Sequence, residues 1–176
     1  MIPLARECSC HYKWIVGAGA SPESRFIVEA IQLAVDGVSA DLGGPFGAVV
    51  VCEGKIVGRG NNRVTSSKDP TAHAEIIAIR DACKTLGTFR LSGCDLYASC
   101  EPCPMCTAAL YWAHVDHLFY AACREEAAKA GFDDDTIGSE LGLALDERSL
   151  PMVRVESADV GKPFALWKRR ADKTTY

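Results

Sequence analysis

The chain has 176 residues, 48% of them hydrophobic and 24% charged. That composition excludes a disordered chain and is enough for one domain whose core needs no disulfide staples. The formal net charge is -4, so the broad basic field that drives tight binding to a phosphate backbone is absent, and nucleic acid is not an expected partner. Uncharged apolar runs such as Ala48–Cys52 and Ala108–Ala113 fall far short of the ~20 residues of a membrane helix.

Residues 1–21 hold Gly17-Ala18-Gly19-Ala20 without a clean period and read as a flexible arm before a single domain over 22–176. The arm lacks an apolar core and a small-residue cleavage site, so a cytoplasmic chain is expected, in which nine cysteines serve metal or burial rather than disulfides. Its Cys8-Ser9-Cys10-His11 cluster is either a metal site or a set of loose thiols. From Pro22 onward Phe26, Ile27, Ala30, Ile31, Ala34 and Val35 recur at helical spacing, with Ser21 or Ser24 as the cap and Gly37 expected to end the helix. The run Ala48–Cys52, the turn Glu53-Gly54-Lys55 and the run Ile56-Val57-Gly58 predict a hairpin.

Asp69-Pro70-Thr71 then opens a helix over Ala72–Thr85. A strand over Cys94–Ser99, a helix over Cys103–Trp112 with Pro104 in its first turn, a strand over Val115–Ala122 and a helix over Arg124–Ala130 follow. Beyond the acidic loop Phe132-Asp133-Asp134-Asp135, a last strand over Met152–Val155 and a last helix over Phe164–Ala171 are expected. This alternation predicts an α/β fold, a mixed sheet of about five strands covered by helices on both faces.

Two short motifs carry the chemistry. His73-Ala74-Glu75 lies at the start of one predicted helix, and Pro102-Cys103-Pro104-Met105-Cys106 begins 29 residues after His73, at the start of another. One imidazole and two thiolates make three ligands for Zn2+, with the fourth position left for water as in a catalytic site. First-turn N–H groups favour the thiolate form of the cysteines. A metal lowers the pKa of water to around 7, and Glu75 is placed to take that proton and pass it to substrate. The alternative is a closed structural site, for which Cys100 is the candidate fourth ligand. Cys52, Cys83, Cys94 and Cys123 read as small buried apolar residues.

H-x-E followed by P-C-x-x-C is the signature of zinc nucleobase deaminases, and the chain resembles the cytidine deaminase superfamily from about Phe26 to Ala130. That resemblance implies the three-layer α/β/α cytidine deaminase-like fold, a Zn2+ cofactor held by His73, Cys103 and Cys106, and Glu75 as proton shuttle. Within the superfamily, the stretches GGPFGAVV, NNRVTSSKDPTAHAEIIAIRDAC, LYASCEPCPMC, ALYWA, FYAA and AGFDD look most like the bacterial guanine deaminases, with plant guanosine deaminases close behind. The similarity implies hydrolysis of guanine to xanthine and ammonia by a homodimer. The alternatives are guanosine deamination and tRNA adenosine deamination by the same zinc mechanism.

Guanine presents N1–H and a 2-amino group beside the carbon under attack, so its pocket needs a carboxylate acceptor. Asp133 and Asp134 read by themselves as a solvated turn or helix cap; the resemblance makes Asp134 the substrate contact, with Asp133 second. It likewise raises Asn62 from a turn residue to a base ligand. Phe46 and Trp112 either stack on the base or pack in the core. The resemblance further implies that the C-terminal segment closes over the site, with the aromatic Tyr176 excluding water.

Overall fold

The computed structural model describes residues 23–175; the arm, its Cys8-Cys10-His11 cluster and Tyr176 lie outside the described residues. Two compact units separate, the first ending at Asp135 and the second beginning at Thr136.

In the first unit, α1 spans Ser24–Ser39 and buries Phe26, Ala30, Ala34 and Gly37 along one stripe. Gly37 does not end the helix as its residue type suggests. It lies inside it, because a Cβ there would come within 2.8 Å of the Asn61 side-chain amide. The strands β1 (Gly47–Cys52) and β2 (Lys55–Asn61) pair as the expected hairpin. Glu53 and Gly54 form its two-residue turn with φ of 50° and 71°, the doubly left-handed geometry that suits the right-handed strand twist. The short helix α2 (Val64–Ser67), not anticipated from sequence, leads into α3 (Ala74–Leu86), which Gly87 caps at φ 66°. Then come β3 (Cys94–Cys100), α4 (Pro104–Ala113), β4 (His117–Ala122) and α5 (Arg124–Lys129).

The sheet order is β2-β1-β3-β4, with β1 antiparallel to both neighbours and β3 parallel to β4. Alternation along the strands divides the core. Ala48, Val50, Cys94, Leu96 and Ala98 pack with Ala74, Ala78 and Ala82 of α3 and Leu110 and Ala113 of α4. Val49, Val51 and Tyr97 face the other way, onto Phe26. Two contacts are especially close. A Cβ on Gly60 would overlap the Ala74 carbonyl and lie 2.6 Å from the Ala78 nitrogen. One on Gly58 would meet the Ala78 carbonyl and the Ala82 nitrogen. The backbone of α3 therefore rests directly on β2.

Four strands form where about five were expected. Residues 151–156 take no regular structure among the described residues, and Met152, Val153 and Val155 are exposed. Their β-branched composition becomes a strand only beside a pairing neighbour, and the described residues of the second unit contain no strand. They hold α6 (Asp135–Gly142), also unanticipated, but for its first residue, and α7 (Lys162–Arg169). Arg148 donates to the Leu141 and Leu143 carbonyls and so satisfies the end of α6. No helix among the described residues is long and apolar enough to cross a membrane.

Pairing of Gly47 with Asn61, Ala48 with Ala98 and Cys100 with Ala122 brings one set of chain ends together. The start of β1, the end of β2, the start of α3 and the segments after β3 and β4 all meet at this edge of the sheet.

Candidate active site

A cavity of about 370 Å³ opens at that edge, lined among others by Phe46, Asn62, His73, Glu75, Cys103, Arg124, Phe132 and Asp134. His73 and Cys103 occupy equivalent places, as the extended residues that cap α3 and α4. Pro104 takes the first position of α4, where its missing N–H costs nothing, and Cys106 follows one turn on, fully buried.

The Nδ1 of His73 is 3.5 Å from the Sγ of Cys103 and 3.6 Å from that of Cys106, and all three atoms lie within 4.8 Å of one another. Tetrahedral zinc, with bonds of about 2.05 Å to nitrogen and about 2.3 Å to sulfur, separates such atoms by about 3.6 Å. The donor set therefore fits that ion in kind and spacing. Electrostatics agree. Its hydrogen-bonded neighbour Cys106, and then His73, hold the Cys103 thiol down at about 4 despite burial. The same Cys103 contact, with burial, holds Cys106 protonated, and Cys103 raises His73. A dication resolves this crowding, since it binds all three groups in their deprotonated forms.

Cys100 is not part of the cluster. Its thiol donates to the Cys123 carbonyl at 3.7 Å, and burial pushes it up to about 11. Among the described residues no fourth His, Cys, Asp or Glu joins the three. Glu75, 7% exposed in the first turn of α3, accepts from the Cys106 thiol at 3.4 Å. Burial raises its carboxyl above the usual range.

The other expected residues fall into three groups. Asn62 is 6% exposed, and its Oδ1 accepts from the backbone N–H of both Gly44 and Val64 at 3.1 Å. Its acceptor is thus committed to the loops, leaving the Nδ2 group as the donor it can offer. Phe46 packs edge-on against Phe132, centroids 5.0 Å apart, and both line the cavity. Asp133 and Asp134 part company: Asp133 is exposed and its Oδ1 accepts from the Asp135 N–H at the start of α6, the helix-cap role, although it also lines the cavity. Asp134 is better covered, and its Oδ1 lies 3.3 Å from the Arg124 Nε. Trp112 is not brought to the cavity. It is 65% exposed on α4, whose buried face consists of Cys106, Leu110 and Ala113.

Sequence reading passed over Phe132, Glu101 and Arg124 as cavity-lining residues. The usable signal for the last two is that they follow the C-terminal ends of parallel strands, Glu101 directly after β3 and Arg124 two residues after β4, where α/β sheets gather their ligands.

A helix-covered mixed sheet with a His/Cys/Cys cluster at two helix starts defines a class. Residues 20–122 match the cytidine and deoxycytidylate deaminase zinc-binding region, and the chain belongs to that family. Over 151 residues it is 50% identical to the guanine deaminase of Bacillus subtilis, a match spanning 86% of this chain and 97% of that one. The X-ray structure of the Bacillus subtilis guanine deaminase superposes with a TM-score of 0.85 at 49% identity, covering 89% of this chain and 99% of that one. A solved guanine deaminase from Nitrosomonas europaea superposes with a TM-score of 0.60 at 33% identity, covering 65% and 66% of the two chains. The tRNA-specific adenosine deaminase of Agrobacterium fabrum is 50% identical over only 78 residues, 44% of this chain and 51% of that one.

Proposed function

We propose that this chain hydrolyses guanine to xanthine and ammonia. The observation that carries the reading is the presence of Asp134 in the same cavity as Glu75 and the His/Cys/Cys cluster. Guanine offers two adjacent donors, N1–H and the 2-amino group, beside the carbon to be attacked, and a carboxylate accepts both. Adenine and cytosine each place a ring acceptor beside the amino group that leaves, and that lone pair would oppose the Asp134 carboxylate. A site built on such hydrogen bonds rejects the mismatched base strongly. The extent of identity supports the same reading, since the match to a guanine deaminase runs well beyond the length shared with a tRNA deaminase.

In this reading His73, Cys103 and Cys106 hold Zn2+. When bound, the ion supplies Lewis-acid chemistry, lowering the pKa of water to about 7. Glu75 takes a proton from the attacking water and delivers it to ring N3 as the C2–O bond forms, then carries the remaining hydroxyl proton to the amino group, so that the C2–N bond breaks, C2=O forms and ammonia leaves. Asp134 orients the donor edge, the Asn62 amide donates to an acceptor elsewhere on the purine, and Phe46 contributes apolar contact. A cytoplasmic setting fits a chain whose Cys103 and Cys106 thiols serve as metal ligands.

The test is ammonia release by zinc-loaded protein from guanine, guanosine, adenine, cytosine, cytidine and a tRNA substrate. Turnover confined to guanine is expected. Turnover of guanosine or tRNA in its place would overturn the assignment of substrate.

A further inference from the structure

Arg124 stands at the first position of α5 and ties three segments of the cavity wall together. Its Nη2 lies 3.5 Å from Glu101 Oε1 and donates to the Pro102 carbonyl at 3.5 Å; its backbone N–H donates to Glu101 Oε2 at 3.3 Å. Pro102 immediately precedes Cys103. The other side of the guanidinium faces the acidic loop, with Nε 3.3 Å from Asp134 Oδ1 and Nη1 3.9 Å from Asp135 Oδ1. Arg124 is therefore the link between the segment that carries Cys103 and the carboxylate assigned to the substrate.

The Asp134 contact has an unusual form. Arg124 Nε is buried, yet its N–H makes no aligned hydrogen bond, although the Asp134 oxygen lies within ion-pair distance. A guanidinium serving only to anchor a carboxylate turns its planar fork onto both oxygens. Here the contact with Asp134 Oδ1 is one of charge rather than of an aligned N–H···O bond. Burial favours the neutral form of Asp134, and Arg124 is the first influence opposing it. A carboxylate steadied by a neighbouring charge, with no aligned side-chain donor on it, can still accept from a two-donor base edge.

We infer that Arg124 is a positioning residue for the base: braced on Glu101 and the Pro102 carbonyl, it fixes the Asp134 carboxylate relative to Cys103 and leaves its oxygens open to substrate. The inference rests on the assignment of Asp134 as the substrate carboxylate. It predicts that Arg124 acts through Asp134 and not on its own account. Lysine, a compact point charge, cannot span Glu101, Pro102 and Asp134 together.

The experiment is a double-mutant cycle on the zinc-loaded protein, with kcat and KM for guanine, bound zinc and Tm measured for Arg124→Gln, Arg124→Lys, Asp134→Asn and the Arg124→Gln/Asp134→Asn pair. Arg124→Gln is expected to lower kcat/KM at least about tenfold with zinc content unchanged, and to cost under about twofold more in the Asp134→Asn background, the signature of two residues acting as one unit. Arg124→Lys should recover only part of the loss. Independent, multiplicative losses would overturn the inference, as would zinc loss in both Arg124 variants or full activity in Arg124→Gln. An Asp134→Asn protein with unchanged kcat/KM would instead remove the substrate carboxylate itself, and the two failures are told apart by that single variant.

Discussion

At the scale of single residues, the cavity assigns different tasks to carboxylates that look alike in the sequence. Glu75 is buried beside Cys106, Asp133 caps a helix, and Asp134 faces Arg124. Glu75→Gln keeps the volume of the side chain and loses its ability to carry a proton. We expect kcat for guanine to fall about a hundredfold to ten-thousandfold while bound zinc stays stoichiometric; steady-state kinetics beside metal analysis checks both, and near-normal turnover would dismiss the shuttle. The residues of the cluster were legible from sequence because a metal imposes ligand type and spacing on the chain. The residues alone did not separate Asp133 from Asp134, which only the family resemblance ranked, since which of two neighbours turns inward depends on the fold. The Arg124 network was equally hidden, because Glu101 meets Arg124 through the parallel pairing of β3 with β4 and Asp134 returns to it only beyond α5.

At the scale of elements, the site depends on how two helix starts are held at one sheet edge. The α3 backbone lies on Gly58 and Gly60 with no room for a methyl group, and α3 carries His73 at its cap and Glu75 in its first turn. Gly60→Ala would press on backbone atoms, which cannot swing aside as a flexible side chain does. Overpacking of this sort costs about 1–3 kcal/mol, and here the strain falls on the helix that presents a metal ligand. The expected outcome is a lower Tm together with reduced zinc stoichiometry, although Gly60 touches neither ligand nor cavity. A full zinc complement at an unchanged Tm would show that the seam yields elsewhere. Strands and helices of this unit were readable from period and turn chemistry, including the Glu53-Gly54 turn. The strand expected over Met152–Val155 was misread for a physical reason: a short apolar run specifies a strand only if another strand is there to complete its hydrogen bonds. α6 was missed because its mixed sequence DTIGSELG carries two glycines and little periodicity.

At the scale of the whole molecule, the exposed apolar residues call for an explanation. Val28, Val35 and Val38 share one stripe of α1 and are at least half exposed, and Tyr111 and Trp112 stand out from α4. The two groups lie on opposite faces of the sheet, and exposed apolar surface of this kind marks an interaction site, in keeping with the homodimer implied by the family resemblance. Light scattering of the purified protein should therefore give about twice the 18.9 kDa of one chain, and a monomer at micromolar concentration would reject the expectation. The helical periodicity of α1 was visible in the sequence. Which of its apolar residues are buried against the sheet and which are left outside was not, because α1 has apolar residues on both sides of its buried stripe.

The polarity of the sheet has one more consequence. The strand ends next to Phe46, Asn62 and Glu101 of the cavity lie at one end of the sheet, while the Glu53-Gly54 turn closes the hairpin at the other. A six-residue strand such as β1 is about 20 Å long. The two ends are thus separate handles: a dye, a surface linker or an affinity tag introduced at the Glu53-Gly54 turn sits a full strand length from the chemistry. The fold thereby offers a point of attachment that leaves the mouth of the cavity clear.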